Sequence, residues 1–138
     1  MKQYEDSMIT QQAAPQAEIE ARMQDIVVYG NYEAVYLFSE EGLYLAKAHS
    51  EDSLDEERLA EISLILNDVQ RLANTLGKIQ RLKEVFMEGE NFRKIIFRFF
   101  RAFEQNVVLV AVVAPHKTYR RYTNDLQRMI NAVSFTDD

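Results

Sequence analysis

The stretch Ser53–Gly77, SLDEERLAEISLILNDVQRLANTLG, decides the fold. Leu59, Ile62, Leu66, Val69, Ala73 and Leu76 recur at alternating steps of three and four, and Ile65 and Leu72 widen the stripe. That is the spacing of an amphipathic helix. Ser53-Leu54-Asp55-Glu56 fits a capping box, and Asp55, Glu56 and Glu57 place negative charge in the first turn, where the helix dipole favours it. Gly77 is free to take the left-handed conformation that closes a helix. Glu57, Ser63, Asn67, Asp68, Arg71 and Thr75 fall on the opposite face, with Leu64 among them as a single apolar exception. At 1.5 Å per residue such a helix spans roughly 35 Å, long for a small domain. Part of its stripe is therefore expected to be left for a second copy.

Outward from this helix the chain reads as strands and shorter helices. Before it, Glu33–Ser39 (EAVYLFS) and Leu43–Ala48 form a hairpin around the turn Ser39-Glu40-Glu41-Gly42. Earlier still, Pro15 suits a first helical turn, and Ile19, Met23, Ile26 and Val27 mark one face of a short helix ending near Gly30-Asn31. Residues 1–14, rich in Gln, read as a flexible tail. After Gly77, Leu82–Glu88 is a third strand, Glu88-Gly89-Glu90-Asn91 a tight connection and Phe92–Phe103 a fourth strand. Period two puts Ile95, Phe97 and Phe99 on one face of it, and Lys94, Ile96, Arg98 and Phe100 on the other. A turn at Glu104-Gln105-Asn106 leads to Val107–Ala114 (VVLVAVVA), apolar on both faces and so central in the sheet. Tyr119, Tyr122, Leu126, Met129, Ile130 and Val133 then repeat at helical spacing, with Thr118 as the expected cap, and residues 135–138 are a second tail. The expected fold is α+β. A five-stranded, mainly antiparallel sheet has the long helix on one face and the N- and C-terminal helices on the other, in one domain over residues 15–134.

Composition bounds the function. The chain has 138 residues, 47% of them hydrophobic, enough for one domain with a core. It has no cysteine, which excludes disulfides, thiol catalysis and cysteine metal sites and fits a cytoplasmic location. No apolar run nears the roughly 20 residues a membrane helix needs, and Val107–Ala114 is too short. A net charge of −6 argues against nucleic acid as a partner. That charge is uneven: residues 1–77 carry 5 basic and 15 acidic side chains, residues 78–138 carry 11 and 7. Such a split can steer a charged partner.

Catalysis has little to stand on. His49 lies in a polar loop and His116 follows Pro115, and no serine sits beside either in a strained turn. The acidic run Glu51, Asp52, Asp55, Glu56 and Glu57 lacks the glycine and alternating oxygens of a calcium loop. All four glycines fall at element ends, leaving none for a phosphate-cradling loop. No enzyme activity, cofactor or metal is expected. Basic Arg93, Lys94, Arg98 and Arg101 alternate with aromatics on the fourth strand, but Phe97 and Phe99 point away from Arg98. Lys117, Arg120 and Arg121 put positive charge at a helix start, against the dipole, which hints at an acidic partner.

The order of elements and several segments resemble the roadblock domain family. Ala34–Ala48 (AVYLFSEEGLYLAKA) is similar to that family's opening hairpin, with Glu41-Gly42-Leu43 and Ala46 at the matching positions. The long helix, the strand pair around Gly89, the run VVLVAVVA and the final helix continue the pattern, so the resemblance covers Ile19 to Val133. The aromatic and basic fourth strand and the basic segment after Pro115 depart from it. The resemblance implies a non-catalytic dimerising adaptor of roadblock, longin or profilin-like architecture. Third strands would pair edge to edge and long helices side by side, giving a homodimer through Leu59, Ile62, Leu66, Val69, Leu82, Val85 and Met87. Bacterial and archaeal relatives bind small Ras-like GTPases and regulate their nucleotide cycle. Leu64, Asp68, Arg71, Arg98 and Arg120 are the candidate contacts with such a partner; no arginine stands out as a finger reaching into a GTPase site, with Arg98 and Arg120 left open for that role. The competing readings are a small-ligand sensor of profilin- or PAS-like topology, with a pocket lined by Tyr36, Phe97 and Tyr119, and a small hydrolase without a convincing base.

Overall fold

The computed structural model describes the backbone of residues 2–50, 55–77 and 79–136 and, of these, the side chains within 14–134. The elements follow in the order α1 (Lys2–Tyr29), β1 (Tyr32–Phe38), β2 (Tyr44–His49), α2 (Glu56–Thr75), β3 (Glu84–Glu88), β4 (Lys94–Ala102), β5 (Gln105–Val113) and α3 (Arg120–Thr136). The five strands form one antiparallel sheet in the order β2-β1-β5-β4-β3. As the apolar run requires, β5 is the middle strand. Val107 to Val113 are all buried, each buried valine or leucine among them stabilising the fold by about 1.5–3 kcal/mol over an exposed one.

Two cores flank the sheet. On one face Ile19, Met23, Ile26 and Val27 of α1 and Leu126, Ile130 and Val133 of α3 pack on Val35, Leu37, Ile96, Leu109 and Ala111. On the other, α2 covers Tyr36, Phe38, Phe97, Phe99 and Val110. The division of β4 into two faces is the one its alternation predicts. Tyr32 fastens α3 to the sheet: its hydroxyl donates to the Tyr119 carbonyl at 2.5 Å and shares a hydrogen with Thr123 Oγ1 at 3.0 Å.

Several boundaries differ from the sequence reading. Helix α1 starts at Lys2, so residues 2–14 are helical rather than a tail. They hold no glycine, and Gln, Ala, Met and Glu are good helix formers. Pro15 therefore lies inside the helix and not in its first turn. Helix α2 is capped by Asp55, whose carboxylate accepts from the Glu57 and Arg58 N–H groups, and not by Ser53, which with Glu51, Asp52 and Leu54 lies outside the described residues. The expected left-handed Gly77 is present, with φ of 87°. Strand β3 starts two residues late, because Arg81 turns left-handed and donates its N–H to Asn74 Oδ1. The β4–β5 turn is Phe103-Glu104, ahead of the expected Glu104-Gln105-Asn106. Helix α3 begins at Arg120, two residues beyond the expected cap Thr118, and extends to Thr136 through part of the expected tail.

Helix α2 is also turned about its axis relative to the expected stripe. Its sheet-facing side runs through Leu59, Ser63 and Ala73, all buried, with Ser63 Oγ donating to the Leu59 carbonyl at 3.0 Å. This rotation leaves Ile65, Val69, Leu72 and Leu76 exposed.

Candidate functional site

An antiparallel sheet has two edges, and an uncovered edge is an invitation to pair. At the β2 edge the Lys47 N–H, which points outward, donates to Glu20 Oε2 of α1 at 3.0 Å, and Lys47 Nζ meets Glu56 of α2 at 2.9 Å. That hydrogen bond to Glu56 raises the Lys47 ammonium above its ordinary pKa. A helix side chain thus blunts one edge.

The β3 edge has no such cover among the described residues. Phe99 N–H donates to the Lys83 carbonyl, so Lys83, Val85 and Met87 aim their backbone groups at β4. By alternation, Glu84, Phe86 and Glu88 aim theirs outward. On the α2 side of this strand Val85 packs against the core and Met87 is 40% exposed. Beside it runs the outer stripe of α2. Leu64 lies on the opposite flank of the helix, over the β1–β2 turn, where a Cβ on Gly42 would come within 3.2 Å of it. At 100° per residue Ile62 and Val69 therefore lie on the flank nearer β3, with Ile65, Leu72 and Leu76 beyond them. Ile65, Leu72 and Leu76 are 61%, 65% and 76% exposed, which for three aliphatic side chains on one helix is an apolar band rather than scattered surface.

The expected dimer residues divide. Val69 and Met87 are exposed, and Ile62, Leu66, Leu82 and Val85 are partly covered by the core. Leu59 does not belong with them: at 3% exposure it is buried between α2 and the sheet. The sequence reading placed the stripe one flank too near the sheet, because Ser63 rather than a hydrophobic residue marks its centre. Ile65, Leu72 and Leu76 are the apolar residues that carry the exposed band.

The five candidate partner contacts do not converge. Leu64 packs on the Gly42 turn, and Asp68 and Arg71 form an exposed ion pair one turn apart. Arg98 is on the opposite face of the sheet. Its guanidinium donates to Glu84 Oε1 at 2.8 Å, to Asn124 Oδ1 at 2.6 Å and to Gln127 Oε1 at 3.4 Å, joining β4, β3 and α3. An arginine so engaged is not a free finger. Arg120 lies over the Tyr119 ring in the first turn of α3.

The competing pocket is not assembled either. Tyr36 and Phe97 are fully buried beneath α2, whereas Tyr119 is across the sheet against Phe86. His49 and His116 are exposed, His49 stacked on Tyr36 and His116 tilted against Phe92. Of the acidic run, Asp55 caps α2 and Glu56 pairs with Lys47, and no group of three metal-ligating side chains occurs among the described residues. Nor is any described helix long and apolar enough to cross a membrane.

No family profile matches the sequence, and no curated protein matches it. Solved structures do resemble it. The gliding protein MglB of Thermus thermophilus superposes with a TM-score of 0.72 at 15% identity, over 89% of this chain and 93% of that one. MglB of Myxococcus xanthus gives 0.74 at 17%, over 88% and 91%. A Roadblock/LC7 domain from Streptomyces avermitilis gives 0.61 at 11%, over 85% and 92%. The fold of this chain is the roadblock fold.

Proposed function

We propose that this chain, a roadblock fold with one uncovered sheet edge, is a non-catalytic homodimeric adaptor that binds a small Ras-like GTPase and modulates its nucleotide cycle or its location. One observation carries the dimer: the bare outer edge of β3 and the apolar band of α2 lie on the same flank. A two-fold axis beside β3 joins two such edges antiparallel and brings the two bands together, an isologous contact. Ile62, Val69, Val85 and Met87 from the sequence reading take part, with Ile65 and Leu72 added. A stable contact of this kind covers about 800 Å² on each partner, and exposed leucines and isoleucines are its natural material. The GTPase reading rests on the resemblance of the fold and the opening hairpin to roadblock regulators. Such an adaptor acts by holding the GTPase's own switch segments, which requires no nucleophile or base from this chain. The close packing of Tyr36 and Phe97 favours it over a ligand sensor.

Two measurements test the two halves. Light scattering across a concentration series is expected to give a mass near twice 16.1 kDa, falling to the monomer in Val69→Glu with Leu72→Glu. A strict wild-type monomer ends the homodimer. Purified Ras-like GTPases loaded with GDP or a GTP analogue are then passed over the immobilised chain, and single-turnover hydrolysis and nucleotide release are followed. Nucleotide-dependent retention with an altered rate is expected. No retention in either state ends the GTPase reading.

A further inference from the structure

The sheet-facing side of α2 changes character halfway along. Leu59, Ser63 and Leu66 line it first; in the second half only Ala73 stays buried, and the half-buried Asn67 and Gln70 and the exposed Asn74 line the flank beside it. Below those carboxamides the sheet is incomplete, since β3 begins at Glu84 while its neighbour β4 runs on to Ala102. The result is an open cleft of about 990 Å³ that wraps the sheet edge, with Phe99 and Arg101 of β4 as floor, Arg81 and Lys83 at one end and the three carboxamides as roof on the α2 side, while the paired Glu84 and Arg98 with Asn124 and Gln127 line it on the α3 side.

The cleft has unused bonding capacity. Phe99 N–H reaches the Lys83 carbonyl at 2.9 Å, so the odd-numbered residues of β4 turn their backbone groups away from β5. Two residues on, the N–H and C=O of Arg101 point the same way, with no strand beside them among the described residues. Among the described residues the side chains of Asn67 and Gln70 have no hydrogen-bond partner, and Arg81 and Lys83 have no ion-pair partner. A polar roof over a bare strand end, ringed by cations in a chain of net charge −6, is not how a core closes.

We propose that this cleft takes an acidic peptide in extended conformation, which lies beside β4 in line with β3 and pairs its main chain with Arg101. Carboxamides carry a donor and an acceptor together and so match peptide groups. Asn67 to Asn74 spans about 10 Å of helix, the length of about three extended residues. Arg81 and Lys83 at one end hold carboxylates, together with Arg101 on the floor, whose guanidinium also donates to the Glu104 carbonyl at 2.9 Å, and Phe99 takes an apolar side chain between them. A free dicarboxylate would engage the cations but leave the strand end and the carboxamides unsatisfied. The main-chain pairing is that of strand addition, with specificity from alternate side chains.

A displayed library of random dodecapeptides, panned on the folded chain and followed by fluorescence anisotropy, tests this. Recovered peptides are expected to be rich in Asp and Glu. They are expected to bind at least tenfold more weakly to Arg81→Glu with Arg101→Glu, and to Asn67→Leu with Gln70→Leu, and as wild type to Arg81→Lys with Arg101→Lys. N-methylation of alternate amides in a recovered peptide is expected to abolish binding in one register only. If the Glu variants fail to fold by circular dichroism, Arg81→Gln with Arg101→Gln replaces them. No acidic enrichment, indifference to both the charge and the carboxamide variants, or displacement by succinate at equal carboxylate concentration overturns the proposal. Binding by Val69→Glu, which leaves the cleft intact, is expected to be unchanged, so this result stands apart from the dimer test.

Discussion

Arg98 and Glu84 face each other across the β3–β4 ladder, guanidinium Nη2 to carboxylate Oε1 at 2.8 Å, with side chains only 12% and 26% exposed. They are a directly opposed pair on the α3 face, where the pairing pattern brings side chains close. The same guanidinium reaches Asn124 and Gln127, so a single residue ties the edge strand to the last helix. Arg98→Leu leaves Glu84 half-buried and without its partner. We expect it to lower stability by about 2–3 kcal/mol, at or below the range for a broken buried pair because Glu84 keeps some water. Urea unfolding checks the magnitude, and amide exchange across Glu84–Glu88 is expected to quicken more than across β1. Arg98→Leu with Glu84→Leu is expected to recover most of the loss.

Burial raises the Tyr32 phenol to about 12 from its ordinary 10.0, with the hydrogen bond to Thr123 acting in the opposite direction. The folded chain therefore keeps this proton to higher pH than the unfolded chain does. The contribution is complete below pH 10 and is lost as pH rises towards 12, a fall of about 2–3 kcal/mol over that window from this one group. Tyr32→Phe is expected to lower stability near neutral pH by about 1 kcal/mol through its two lost hydrogen bonds, and to flatten the decline between pH 10 and 12. Unfolding curves at several alkaline pH values measure both.

Phe103 and Glu104 turn the β4–β5 hairpin with φ of 54° and 60°, a two-residue turn in which both centres are left-handed. Phe103 is held there by its packing on the α1–α3 core and by its N–H, which donates to Ser134 Oγ at 2.6 Å. Glu104 is exposed and has no such support for its side chain. Glu104→Gly is expected to raise stability by about 1 kcal/mol, the cost of a side chain in that conformation less the extra freedom of the unfolded glycine. A higher thermal midpoint at unchanged urea slope is the sign to look for.

Gly42 has φ of 83° and its missing Cβ leaves room for Leu64 of α2 at 3.2 Å. Gly42→Ala is strained by the backbone and presses on the helix at once. A loss of about 1–2 kcal/mol is expected, reduced by Leu64→Ala on the same chain. A double-mutant cycle with no coupling between the two would mean that the turn and the helix do not meet.

The sheet was legible because its signals are local. The unbroken apolar run of Val107 to Val113 reads as a strand covered on both sides, and Ile95, Phe97 and Phe99 against Ile96 and Phe100 read as two faces. Turn chemistry was less legible: Phe103-Glu104 has none of the Asn or Gly that marks its turn type, so Asn106 drew the turn two residues late. The rotation of α2 was hidden because Ser63, a polar residue, is the buried centre of its sheet-facing side, its hydroxyl satisfied by the Leu59 carbonyl. The same effect put Leu59 on the dimer surface. The Arg98 network, which engages that guanidinium within the chain, joins residues 14 to 29 positions apart in sequence and leaves no local pattern.

The middle strand is the last one made. With β5 between β1 and β4, the hairpin of β1 and β2 and the pair of β3 and β4 share no ladder until residues 105–113 have left the ribosome. Until then the β1–β2 hairpin waits with an apolar inner edge, and it joins the rest of the sheet only when β5, hairpinned to β4, arrives from far along the sequence. Closure over such a separation is slow compared with helix formation. The inner edge of β1 is therefore the one left longest without its partner as the chain is made.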